Sequence, residues 1–176
     1  NTLVDNEGDS GDKVNLDTDF TVTVDAGEVA AADLNTISAK TTGLVTATAA
    51  TVITGTAAAI NTLIGDEGDS GNKVNLDGDF LVTITPAGSA SAAHLNAINN
   101  KTTGLVTATN VTALTGTAAD INTLVDNEGD SGNKVNLDTD YTATITDTII
   151  AASVLNTLNG SIPGLVTATS VTHITG

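Results

Sequence analysis

A chain of 176 residues is long enough for one domain with a sizeable core, yet this one has 2% aromatic residues, no Cys, Met or Trp, and a formal charge of −16 from 21 acids against five Lys. The missing Cys excludes a disulfide framework and thiolate metal sites. The charge argues against nucleic acid and anionic membranes, which are bound through Lys and Arg, and no apolar run is long enough to span a bilayer.

The first predicted element is an acidic loop, "DNEGDSGDKVNLDTD" over 5–19. It returns as "GDEGDSGNKVNLDGD" over 65–79 and "DNEGDSGNKVNLDTD" over 126–140. A strand follows each loop: "FTVTV" (20–24), "FLVTIT" (80–85) and "YTATIT" (141–146), where Val, Ile and Ala alternate with Thr at the period of a half-buried strand. Next comes a short helical segment with apolar spacing, Leu34 with Ile37, Leu95 with Ile98 and Leu155 with Leu158. Then the alternating "LVTAT" recurs at 44–48, 105–109 and 165–169, leading to a second helical segment. In "TGTAADINTLV" (115–125), Thr117 is the expected N-cap with Asp120 three residues on, and Ile121, Leu124 and Val125 form one apolar face.

Leu34, Leu95 and Leu155 are 61 and then 60 residues apart, so the chain is three copies of one unit, 1–60, 61–121 and a shorter 122–176. The one-residue difference falls at a turn around Pro86, Ala87 and Gly88. Each copy contains two similar halves. The fold class expected is a repeat solenoid of mixed α/β type, with parallel strands stacked, short helices on the other side, and two coils per repeat. The alternatives are an all-β parallel β-helix and three tandem small β-domains. Neither end carries a capping repeat, which suggests a longer array or a protomer that stacks head to tail.

The combination "TTGLVTATNVTALTGTAADINTL" (102–124) resembles tandem repeats in very large cell-surface proteins of marine cyanobacteria, including the giant motility-associated type. The similarity covers essentially the whole chain through its strand-helix units. It implies an extracellular, elongated, non-enzymatic protein working in a calcium-rich medium.

Four acids per loop hold in every copy: Glu7, Asp9, Asp17 and Asp19; Glu67, Asp69, Asp77 and Asp79; Glu128, Asp130, Asp138 and Asp140. Carboxylates at alternate positions on a Gly-containing loop are the oxygen-rich chemistry that Ca²⁺ takes, and these twelve are the candidate ligands. The loop is not an EF-hand, since Ser10 stands where Gly is required and Leu16 where the last Glu would be. The bland alternative is a solvated loop whose Asp and Asn make turns. Asp12 becomes Asn72 and Asn133, so that position needs no carboxylate.

No nucleophile, base and orienter recur together, and His94 and His173 sit at non-equivalent places, so no enzyme is expected. The function expected is a structural, extracellular or cell-surface repeat module, held by Ca²⁺ at the acidic loops and associating with itself head to tail or laterally. An adhesin for cell-surface polysaccharide is the first alternative. The second is an ice-binding face made by Thr23, Thr46, Thr48 and their counterparts.

Overall fold

The computed structural model describes residues 14–176. Val- and Thr-rich segments form short strands, and Ala-rich segments bearing Leu or Ile at helical spacing form the helices. In chain order these are β1 (Val22–Thr23), β2 (Gly27–Ala30), α1 (Ala31–Ser38), β3 (Val45–Ala47), β4 (Ala50–Gly55), α2 (Ala57–Gly65), β5 (Val74–Leu76), β6 (Leu81–Ile84), β7 (Gly88–Ser91), α3 (Ala92–Lys101), β8 (Val106–Ala108), β9 (Val111–Gly116), α4 (Ala118–Asp126), β10 (Val135–Leu137), β11 (Thr142–Ile145), β12 (Ile149–Ala151), α5 (Ala152–Ser161), β13 (Val166–Thr167) and β14 (His173–Thr175). Two strands and three strands alternate between successive helices.

Every strand pair among the described residues is parallel. Parallel partners need a crossover, and here each crossover contains a helix. Val22 lies opposite Val45 and Val45 opposite Val74, so a shorter step along the chain is followed by a longer one. The same alternation runs through Val29, Ile53, Val82, Val106 and Val135. Two successive steps, from Val22 to Val74 or from Val82 to Val135, fall short of the sequence repeat by the length of one strand and its turn. The sheet slides sideways by one strand per repeat. Its ladders run β1-β3-β5, β2-β4-β6-β8-β10, β7-β9-β11-β13 and β12-β14.

Because the pairs β4 with β6 and β8 with β10 join different copies, the copies are not separate domains in this fold. Parallel pairing removes the tandem antiparallel sandwiches, and five helices among the described residues remove an all-β helix. The chain has a repeat-like mixed α/β fold with several parallel sheets of short strands. One expectation needs correction: each half-repeat holds two or three strands before its helix, not one.

The helices pack in sequence, each on the next, and seal one continuous apolar cluster. Leu34, Ile60, Leu95 and Ile121 on the helices are fully buried, as are Ile53, Leu114, Val106 and Val135 on the strands. Thr56 and Thr117 accept hydrogen bonds from the backbone N–H of Ala59 and Asp120, both at 3.1 Å, and so cap α2 and α4. The Thr117 hydroxyl also donates to the Asp120 carboxylate at 2.7 Å. In the first two copies the Asn of the "LN" pair ties helix to helix: Asn35 Nδ2 donates to Ala59 O on α2 at 2.9 Å, and Asn96 Nδ2 to Asp120 O on α4 at 2.8 Å.

Candidate functional site

The sideways slide leaves β5 and β10 with one edge paired to the preceding coil and the other edge open. An open edge exposes unpaired backbone groups and invites aggregation. The acidic loops close it. Glu67 bridges Val74 and Glu128 bridges Val135, both in parallel. Gly68 N–H donates to Val74 O and Val74 N–H to Asp66 O, each at 3.1 Å; Gly129, Val135 and Asn127 repeat the pattern at the same distances. The backbone turns back through Gly71 and Gly132, whose φ of +68° and +65° favours glycine.

A second set of bonds fixes each loop to the coil before it. With its amide nitrogen turned toward the carbonyls, Asn72 donates to Ser38 O at 3.2 Å and Thr41 O at 2.9 Å, at the end of α1. Asn133 likewise donates to Asn99 O at 3.0 Å, Asn99 Oδ1 at 3.1 Å and Thr102 O at 3.2 Å, at the end of α3. Helix C-termini present unpaired carbonyls, and an amide satisfies them where a carboxylate would repel them. This is why Asn stands here. Asn133→Asp is accordingly expected to destabilise the chain by about 1 kcal/mol at pH 7, through lost hydrogen bonds and a negative charge set against helix-end carbonyls. The loss should shrink as the pH falls below roughly 4, where the new carboxyl protonates and can donate again. Urea melts at pH 7 and pH 3, referred to the parent chain at each pH, measure it.

The candidate ligands occupy several roles. Glu7 and Asp9 lie outside the described residues. Asp17, Asp77 and Asp138 each accept a bond at 2.7 Å from the next backbone N–H, a turn-making role. Glu67 pairs with Lys101 at 3.1 Å; both side chains are too exposed for this to contribute much. Asp19, Asp69, Asp79, Asp130 and Asp140 are exposed, as is Glu128. Among the described residues no three Asp, Glu or His side chains gather into a group that could hold a metal ion. The loop's ordered contacts are made by its backbone and its Asn, and its acids point mainly to solvent. Asn72 and Asn133 were legible as a change from Asp12, but only as a position indifferent to charge.

Two of the departures of copy 3 from the others bear on charge and burial in this region. Lys101 is replaced by Ser161, so Glu128 lacks the counterpart of that ion pair, and Phe20 and Phe80 are replaced by Tyr141. Tyr141 is 1% exposed and its hydroxyl has no hydrogen-bond partner. Burial, with a smaller contribution from Glu128, pushes its pKa up to about 12. In the unfolded chain the phenol ionises near 10, so its neutral form favours the fold below that pH, and this contribution drains away between about pH 10 and 12. Tyr141→Phe is expected to stabilise the protein by about 1 kcal/mol by removing an unsatisfied hydroxyl, and to flatten the alkaline loss. Thermal melts from pH 8 to 11.5 test both.

The Thr positions also follow the slide. Thr54, Thr83 and Thr107 share one ladder with Asn136, and Thr115, Thr144 and Thr167 share another. They are half-buried, and Thr23 with Thr46 meets Asn75 after two rungs. The result is a set of short, offset bands.

Comparison with protein-family models, curated proteins and solved structures finds no match to this chain. Among the described residues no helix is long and apolar enough to cross a membrane.

Proposed function

We propose that this chain is a structural module of an extracellular or cell-surface scaffold, a solenoid that supplies length, stiffness and spacing and turns over no substrate. The observation that carries the reading is that ladders run across the copy boundaries, so that each copy completes its neighbour's sheet. Stability in such an array comes from nearest-neighbour interfaces, and six turns spaced about 4.8 Å apart advance roughly 30 Å. Electron microscopy of material carrying many copies in line tests it. Uniform thin fibres that lengthen in proportion to copy number are expected, and globules joined by flexible links would overturn the solenoid.

Calcium belongs to the proposal as a loosely held counter-ion. The exposed carboxylates of Asp69, Asp79, Asp130 and Asp140 would attract it through the high negative charge, and the joint itself is closed by amide and backbone bonds. Titration calorimetry should then give weak binding, and EDTA should lower the melting temperature by a few degrees at most. No heat, together with an unchanged melt in EDTA, removes calcium. The adhesin reading is less well supported, because the sole Tyr is buried and offers no face for a sugar.

A further inference from the structure

β7 and β12 each begin a new ladder, so one edge pairs with the coil after it and the other turns toward the helix of the coil before. The second edge of β7 is covered, since α2 packs against that strand. Between β12 and α4 a groove of about 490 Å³ stays open, walled by Ala118, Ala119 and Asn122 on one side and by Ile149 and Val154 on the other. Both walls lie within the described chain, with α4 before the groove and β14 after it. Among the described residues β12 pairs with β14 alone, and His173 N–H donates to Thr148 O at 3.2 Å. In a parallel ladder that bond gives the N–H and C=O of Ile150 to β14 and turns those of Ile149 to the opposite edge, toward the groove.

The groove is apolar where the other copies are polar. Strand register puts Ile149 in the place of Glu28 and Ser89, since it lies opposite His173 as they lie opposite Val52 and Ala113. Val154 precedes Leu155 where Asp33 and His94 precede Leu34 and Leu95. Ile149 is 60% exposed and Val154 38%. Ser89 and Asp33, each followed by a complete coil, are exposed as well, so the exposure belongs to these positions and copy 3 adds the apolar side chains. Of the groups lining the groove, the Asp147 carboxylate accepts the Ala118 N–H at 2.7 Å, and Asp120 lies on the same first turn of α4. No Lys lines it.

We propose that this groove binds a short, extended, basic peptide segment of another protein, which adds a strand to the open edge of β12. The peptide backbone takes up the N–H and C=O of Ile149, an apolar side chain packs between Ile149, Val154 and the Ala methyls of α4, and a Lys or Arg meets Asp147. An unpaired strand edge calls for an extended backbone. The acids beside it and the net charge of −16 select a basic segment over a second copy of this acidic chain. The scaffold reading neither requires this partner nor fails with it.

The test is fluorescence anisotropy of a labelled peptide, KVTVTV, titrated with the full chain in about 50 mM salt, where charge attraction is only partly screened. Saturable binding is expected, weakened about tenfold or more by Ile149→Glu through the lost apolar contact. That substitution installs the residue of copy 1 at an exposed position, and a thermal melt checks that the fold is kept. The peptide EVTVTV should bind several-fold more weakly, and Asp147→Asn should shrink the difference between the two. Of two forms of KVTVTV, N-methylated at one or the other alternate set of backbone amides, one should lose binding. No saturable binding, full binding by Ile149→Glu, equal binding of EVTVTV, or full binding of both methylated forms overturns the proposal. Self-association of the parent chain that Ile149→Glu abolishes overturns it too, in favour of a second copy.

Discussion

Gly104→Ala is expected to lower the stability of the chain by about 3 kcal/mol or more, among the larger effects a single methyl can have. A Cβ at this position would press into the Phe80 carbonyl oxygen, with Asp79 O at 2.6 Å and Phe80 C at 2.9 Å. All three are backbone atoms of the coil below, which the Thr102 hydroxyl holds through its own bond to Phe80 O and its acceptance of Gly104 N–H. Neither side can give way without breaking the ladder between β6 and β8. For a chain of this size such a loss corresponds to a fall of roughly 6–12 °C in melting temperature. Gly160→Ala on α5 is the control: its Cβ meets nothing within 4 Å, and exchanging Gly for Ala in a helix should be neutral or stabilising by up to about 1 kcal/mol. If Gly104→Ala melts within two or three degrees of the parent, the close approach of these backbones is wrong.

Leu95→Ala is expected to cost about 3–4 kcal/mol, within the range found when a fully buried Leu loses its side chain and leaves a cavity. Leu95 is fully buried on the inner face of α3, which packs between α2 and α4. Because α3 packs on both neighbouring helices, the lost contacts weaken two interfaces at once, so the damage should be shared by the elements on both sides. Hydrogen exchange is the sharper readout. Amides of α2, β7 and α4 should lose protection together, while those of β1 and β2 change little. Leu155→Ala, at the equivalent but half-buried place in α5, should cost about half as much, in line with the smaller apolar area removed from water. Equal losses at the two positions would mean that α3 and α5 are equally enclosed, against the burial pattern.

The amino-acid sequence by itself determined the three copies and their offset, the helices and their faces, and the Thr117 cap on α4. These are properties carried by side-chain type at fixed spacing along the chain. It also carried the strands with strict Val/Thr alternation. The "VNL" strands β5 and β10 were invisible because so short a run with Asn at its centre holds no periodic signal. The strand β7, "GSAS", was invisible because Gly and Ser have no preference for a strand and are held in one by β9 alongside. Only the tertiary structure decided the alternation of shorter and longer steps between paired strands, because register is settled by which backbone groups meet across coils while the helices stack. Copy-to-copy similarity points to two steps that add up to a whole repeat, and the sheet takes two that add up to less. That mismatch frees an edge on β5 and β10, and it is what gives the acidic loop, Asn72 and Asn133 their place in the fold.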